Sequence, residues 1–229
     1  MRNNNTFHIR LLELQELASI MKVQEQTYSQ LRDKVRLSTL DQQEVIHILA
    51  GAGWFAGAFL DTKLVAFRAF LIPQLDDIDH LGKDIGLTTK EQTSVIYQEI
   101  TVVLPEYRGH GLQRKLGEWL MDMLIRSKDS YRFICSTVAP FNIPSLKDKF
   151  AQGMHIATLK EKYEGKLRYV FLKDLQQPLH PSYDKWIVMA DINAQQDALK
   201  QGKVGHELVK QGEEYGIWYG KYNRSIKGD

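Results

Sequence analysis

The sequence has a single cysteine, Cys135, so no intrachain disulfide can form and no cysteine-based zinc site can be assembled. That fits a reducing compartment, and the cytoplasm is the expected location. Long hydrophobic runs are missing as well. The most continuous stretch, 48–60, falls short of the roughly 20 residues a membrane helix needs, and Asp61, Lys63 and Arg68 follow it closely. It reads as buried core, and no membrane partner is expected. Residues 1–6 are polar and asparagine-rich, without the apolar core and small-residue cleavage site of a secretory signal, so export is not expected. Neither charge dominates: 30 Lys and Arg face 28 Asp and Glu, a formal net charge of +2. Such a balance creates no long-range field for nucleic acid or anionic lipid, so any anion must be gripped locally. The basic residues are spread among acidic ones and the aromatics form no stacking array, which speaks against nucleic-acid binding. What is present is ordinary globular material, 43% hydrophobic over 229 residues, enough for one large domain or one domain with an added piece.

Hydrophobic periodicity predicts a first strand at 7–11 and a helix over 13–31, with Leu14, Leu17, Ala18, Met21 and Tyr28 at near-helical spacing. Asp41 can cap a second helix that runs to Ala50 and stops at Gly51 and Gly53. Apolar runs at 54–60 and 64–72, parted by Asp61-Thr62-Lys63, suit an antiparallel hairpin. A strand is expected at 95–104, a helix opening at Gly111, a strand at 131–139, a short helix at 145–152 and a hairpin over 154–175 turning near Gly165. The proline-bearing segment 176–182 marks a boundary, after which a strand (186–192), a helix (193–201) and a hairpin (204–222) follow. The fold class is therefore mixed α/β. Residues 1–175 read as the main domain, 176–182 as a linker, and 183–229 as a β-α-β-β extension packed on it, since about 50 residues are too few to fold securely alone.

Residues 74–93 crowd together Asp76, Asp77, Asp79, His80 and Asp84, which raises the question of a metal site. An EF-hand starting at Asp77 needs a glutamate at its twelfth position, where Thr88 stands, and no second histidine lies nearby. No metal is expected, and the segment reads as a solvated loop. If it borders a substrate entrance, Asp76 and Asp77 would favour a cationic amine.

The segment that carries chemistry is Val103-Leu-Pro-Glu-Tyr-Arg-Gly-His-Gly-Leu-Gln113. A strand is followed by a helix start, whose unpartnered N–H groups and positive dipole end favour a phosphate. Gly109 and Gly111 lack the Cβ atoms that would hold the backbone away from a ligand, and Arg108, Arg114 and Lys115 can add charge. Two other phosphate motifs fail: a dinucleotide fingerprint needs a glycine where Arg114 stands, and a Walker A loop needs four residues between its glycines. An ordinary strand-to-helix turn is the structural alternative.

Arg108-x-x-Gly111-x-Gln113 after Val103-x-Pro105 resembles motif A of the GNAT superfamily of N-acetyltransferases, and Asn142-x-x-Ser145 followed by Gly153-Met154 resembles its next motif. The resemblance covers roughly residues 5–175. Three positions depart from the family: Gln113 replaces a Gly or Ala, Met154 a phenylalanine, and Lys149 a tyrosine that often serves as general acid. The resemblance implies a splayed mixed sheet flanked by helices, with acetyl-CoA or another acyl-CoA as co-substrate. Backbone groups of Val102 and Val103 would bind the pantetheine and the amides of Arg108, Gly109, His110, Gly111, Leu112 and Gln113 the pyrophosphate, with Asn142 and Ser145 near the pantetheine end. The amine would attack the thioester directly, with no acyl-enzyme.

An alkyl amine has a pKa near 10 and needs a base before it attacks at neutral pH. Glu99, a carboxylate in a strand expected to be largely apolar, is the candidate, with a salt-bridged or strand-edge glutamate as its structural alternative. The strand is expected to set Glu99 beside Tyr97 and Thr101 in one alternating row. The general acid is unassigned. Cys135 reads as a buried small hydrophobe and His110 as an exposed loop side chain. The acceptor is a small-molecule or peptide amine, the alternative function is an acyl-CoA-binding sensor or scaffold, and a homodimer is left open.

Overall fold

The computed structural model describes residues 6–31, 38–127, 131–163, 165–178 and 180–221. They fall into two units, one built from 1–73 and 96–130 and the other from 74–95 and 131–229.

In the first unit the strands β1 (His8–Leu11), β2 (Gly53–Leu60), β3 (Lys63–Leu71) and β4 (Val95–Val103) pair antiparallel in that order. The expected hairpin is the β2–β3 pair. The expected first helix begins as a 3-10 turn, Leu14–Glu16, and continues as α1 (Leu17–Ser29). Ile20, Val23 and Thr27 form its buried stripe, and it packs against β3. Asp41 does cap α2 (Gln42–His47): its carboxylate accepts from the Glu44 N–H at 2.9 Å while Glu44 reaches back to the Asp41 N–H. Such a reciprocal cap contributes about 1 kcal/mol. The helix then widens into a π-turn, Ile48–Ala52, where Gly51 takes φ 117° and breaks the path. The long helix α5 (Leu112–Arg126) lays Leu112, Leu116, Leu120 and Leu124 against β2 and β3.

Strand β4 departs from simple alternation. Thr101 pairs with Arg68 and Ile100 with Ala69, but Phe70 pairs with Gln98, so Glu99 is an extra residue with no opposite number. This β-bulge swaps the faces on either side of it. Gln98 lies on the Thr101 and Arg68 face, and Tyr97 lies on the Ile100 face. The expected single row of Tyr97, Glu99 and Thr101 is therefore corrected.

In the second unit the strands are β5 (Phe133–Val138), β6 (His155–Lys162), β7 (Lys166–Asp174), β8 (Lys185–Val188), β9 (Lys203–Gln211) and β10 (Glu214–Lys221), in spatial order β5-β7-β6-β9-β10-β8. The C-terminal strands thus continue the sheet of the β6–β7 hairpin. Strand β8 ends four residues earlier than expected because Asp191 turns the chain and caps α7 (Ile192–Lys200) through the Ala194 N–H at 3.0 Å. Buried Gln195 on α7 locks this region: its amide oxygen accepts from the Tyr169 hydroxyl at 2.7 Å and the Tyr219 hydroxyl at 2.9 Å, and its NH2 donates to the Met189 carbonyl at 2.8 Å.

The segment expected as a plain solvated loop holds two short helices, α3 (Leu81–Asp84) and α4 (Thr89–Gln92). His80 caps the first with Nδ1, and the Thr88 and Glu91 capping box opens the second. Much of its charge is compensated. The buried Lys162 ammonium lies 2.8 Å from the Asp84 carboxylate and 2.9 Å from that of Asp79, and Lys160 lies 2.6 Å from Asp84. Burial works against the Lys162 charge, but its hydrogen bonds to Asp84 and Asp79 outweigh it and hold its pKa above the ordinary lysine value. Asp76 and Asp77 stay exposed. Among the described residues, no helix is long and apolar enough to cross a membrane, and no three His, Cys, Asp or Glu side chains converge as metal ligands.

Candidate functional site

The glycine segment is built as a cradle at the end of β4. Leu104 donates its N–H to the Val65 carbonyl at 3.0 Å, and Pro105–Tyr107 then make a tight 3-10 turn. Gly109 and Gly111 both adopt left-handed backbone, φ 81° and 71°, a conformation that costs an L side chain roughly 1–2 kcal/mol. Gly111 is the N-cap of α5, so no side chain caps this helix, and its first turn carries no acid. Lys115 is the first residue whose N–H bonds back, to the Gly111 carbonyl at 3.0 Å. The preceding amides point outward from the positive end of a 15-residue helix. A Cβ placed on Gly109 or Gly111 would meet no protein atom within 4 Å, so the ground in front of these glycines is open.

Arg108, Arg114 and Lys115 are exposed around the cradle, and Arg114 leans on Glu118 at 3.6 Å. Phe7 supports the loop from the side, with edge contacts to the Tyr107 ring at 6.3 Å and the His110 ring at 5.5 Å. The His110 Nδ1 lies 3.1 Å from the Tyr107 carbonyl and 3.2 Å from that of Arg108, so that nitrogen is the protonated donor. The exposed His110 ring is thereby committed to shaping the loop. Leu112 is buried and Gln113 half-buried, which leaves their amides, not their side chains, as the groups available to a ligand. Val102 is buried opposite Phe67, and Val103 is half-buried opposite Ala66.

Glu99 is exposed within an otherwise buried run from Val95 to Ile100. The bulge explains this: a position skipped by the β3–β4 register lets a carboxylate leave the sheet face that its neighbours fill. Glu99 is the middle residue of β4, four positions before Val103 or about 13 Å of chain, so the carboxylate stands half a strand away from the end that leads into the cradle.

Asn142 and Ser145 belong to the second unit, where they open α6 (Ile143–Ala151). The Asn142 side-chain oxygen accepts from the Ser145 N–H at 3.4 Å. The helix starts at 143, two residues before the expected position, because Asn142 rather than Ser145 is its cap. Its far end is a Schellman turn: Gly153 at φ 71° donates to the Phe150 carbonyl at 2.9 Å, and Met154 donates to that of Lys149 at 3.1 Å. Met154 is buried and fills the apolar place at the end of this turn, and Lys149 is buried as well. Cys135 is fully buried, and burial pushes its thiol pKa well up, so it is no nucleophile.

One residue escaped the sequence reading. Arg68 on β3 is 1% exposed, and its guanidinium donates to the Gln113 carbonyl at 3.1 Å and to the Gln98 side-chain oxygen at 3.3 Å. The signal was available, since a cation in the middle of the apolar run 64–72 has no place in a plain core strand.

No family model and no curated protein matches this sequence. Solved structures do match. The ribosomal-protein-S18-alanine N-acetyltransferase of Escherichia coli is 14% identical, with 74% of this chain and 94% of that chain covered at a TM-score of 0.56. NAA60 of Arabidopsis thaliana in complex with acetyl-CoA is 11% identical, covering 75% and 100% at 0.60. The putative acetyltransferase yncA of Salmonella typhimurium, with its cofactor acetyl-CoA, is 14% identical, covering 76% and 98% at 0.56. The chain has the GNAT fold, a mixed α/β sheet flanked by helices.

Proposed function

We propose that this chain is an acyl-CoA-dependent N-acyltransferase, with acetyl-CoA as the simplest donor and a small-molecule or peptide amine as acceptor. The observation that carries the reading is the open, side-chain-free start of α5 behind Gly109 and Gly111, in a chain of GNAT fold. The amides from Gly109 to Gln113 suit a pyrophosphate, since they offer donors and positive potential without a competing cap, whereas the Arg108 amide, also expected in this set, already donates to the Pro105 carbonyl at 3.2 Å and leaves Arg108 its guanidinium to offer. Val102 and Val103 suit the pantetheine by their backbone, and the assignment of Asn142 and Ser145 to CoA binding rests on the motif resemblance alone.

The amine nitrogen attacks the thioester carbonyl carbon, the carbon–sulfur bond breaks, and the thiolate leaves as CoA. The amine's proton passes to Glu99, directly or through water, and the support for this is that the carboxylate is solvent-exposed at a bulge. The thiolate's proton source has no assigned residue. Residues 1–175 are the acyl-CoA-binding domain of this reading, 176–182 its linker and 183–229 an extension packed on it, in a cytoplasmic protein.

A second reading, a non-catalytic acyl-CoA sensor or scaffold, is favoured by Lys149, a buried lysine where GNAT enzymes often carry a tyrosine. Thiol release from acetyl-CoA across a panel of amines separates the two. Turnover is the expected result, and Glu99→Gln should slow it by about a hundredfold without changing CoA affinity. Saturable CoA binding with no turnover on any amine moves the protein to the sensor class, and no CoA binding at all removes both readings.

A further inference from the structure

We propose that Arg68 is a positioning residue that couples the pyrophosphate cradle to the strand carrying Glu99; the inference rests on the acyl-CoA reading above. The two halves of the proposed machinery lie in different elements, the amides in the first turn of α5 and the carboxylate at the bulge of β4. Arg68 touches both. One arm of its guanidinium donates to the carbonyl of Gln113, the second residue of α5, at 3.1 Å. The other donates at 3.3 Å to the side chain of Gln98, which is 3% exposed and immediately precedes Glu99.

The bulge makes this bridge. Were Glu99 paired in regular alternation, Gln98 would fall on the Ile100 face, turned away from β3's arginine; with Glu99 bulged out of register, Gln98 shares the face of Arg68 and Thr101. The same irregularity that exposes Glu99 therefore turns Gln98 inward to be held. A guanidinium suits the task because its donors diverge in a rigid plane and it stays protonated at any working pH. Lysine, a point donor on a flexible stem, keeps the charge but cannot hold both oxygens in fixed geometry. The cation also sits against the first turn of α5, where it reinforces the positive end of the helix that faces a pyrophosphate. Arg68 thus serves donors that carry a pyrophosphate more than donors that lack one.

The test compares acetyl-CoA with S-acetylpantetheine, which has the same thioester and no pyrophosphate, in wild type, Arg68→Met, Arg68→Lys and Gln98→Leu. In wild type kcat/KM should favour acetyl-CoA, and Arg68→Met should cut that preference by about tenfold. A loss of folding or of general order lowers both donors equally and leaves the ratio intact. Arg68→Lys should restore most of the preference while kcat stays several-fold low. Gln98→Leu, which removes one arm only, should lower kcat with the acetyl-CoA preference unchanged.

A wild-type preference ratio in folded Arg68→Met overturns the inference. Should that variant fail to fold, wild-type kcat in Gln98→Leu overturns it instead. Wild-type protein that neither binds CoA nor turns over either donor refutes the underlying function, an outcome visible before any variant is made.

Discussion

Replacing Gly111 separates two roles that one position holds. At φ 71° an alanine carries a left-handed penalty of roughly 1–2 kcal/mol, and no protein atom lies within 4 Å of its Cβ to add a clash. Gly111→Ala should therefore lower unfolding free energy by that amount and no more. Asparagine tolerates the left-handed region, so Gly111→Asn should cost less than about 1 kcal/mol of stability. On the proposed acyl-CoA reading, both side chains nonetheless stand where phosphate oxygens would approach the amides. Losing one charge-assisted hydrogen bond of about 1.5–3 kcal/mol corresponds to a ten- to hundredfold rise in Kd. Urea unfolding and calorimetric CoA titration on the same preparations read the two effects independently. The decisive variant is Gly111→Asn: near-native stability with at least tenfold weaker CoA binding is expected. Wild-type affinity in that folded variant would refute the cradle.

Further outcomes follow from the buried polar groups. Burial pushes the His155 imidazole down to about 4, outweighing the nearby Asp174 carboxylate. The folded state thus binds fewer protons than the unfolded one between that value and about 6.5. Its stabilisation is complete above the upper value and declines as pH falls, by about 2 kcal/mol from pH 7 to pH 5; urea midpoints in His155→Gln should show a correspondingly flatter profile. Gln195→Leu strands two tyrosine hydroxyls and the Met189 carbonyl, so chemical denaturation should report a loss of about 3 kcal/mol or more. A loss under 1 kcal/mol would mean that water replaces the amide. Cys135 should resist a thiol reagent until the protein is unfolded, and Cys135→Ala should leave acyl transfer at its wild-type rate; a dead variant would point to an acyl-enzyme after all.

Features set by local chemistry were legible in the sequence. The glycine cradle, the Asp41 cap and the β2–β3 hairpin depend on residues a few positions apart, and each lies where periodicity and capping rules put it. Features set by pairing were not. The bulge at Glu99 exists only in register with β3, and an alternating reading of β4 alone assigns Gln98 and Tyr97 to the wrong faces. Helices α3 and α4 have four residues each, too short for a periodic signal, although Thr88-x-x-Glu91 spells a capping box. Arg68 was visible as an anomaly, but its partners lie 30 and 45 residues away in sequence. The GNAT fold was legible because its motifs recur in order, and Gln113 and Lys149 were legible as departures from them.

Strand β1, at an edge of the first unit, and β8, at an edge of the second, are each only four residues long and carry His8, Arg10 and Lys185. Unpaired edges are where one chain recruits another into misassembled sheets, and brief, charged edges give such recruitment little to grip. The added strand β9, backed by β10, lies on the flank of β6, which is twice as long, and pairs with it at Gly205 and Ile156. Cutting the chain after residue 175 would bare that flank, and the truncated chain should self-associate more readily than the full one.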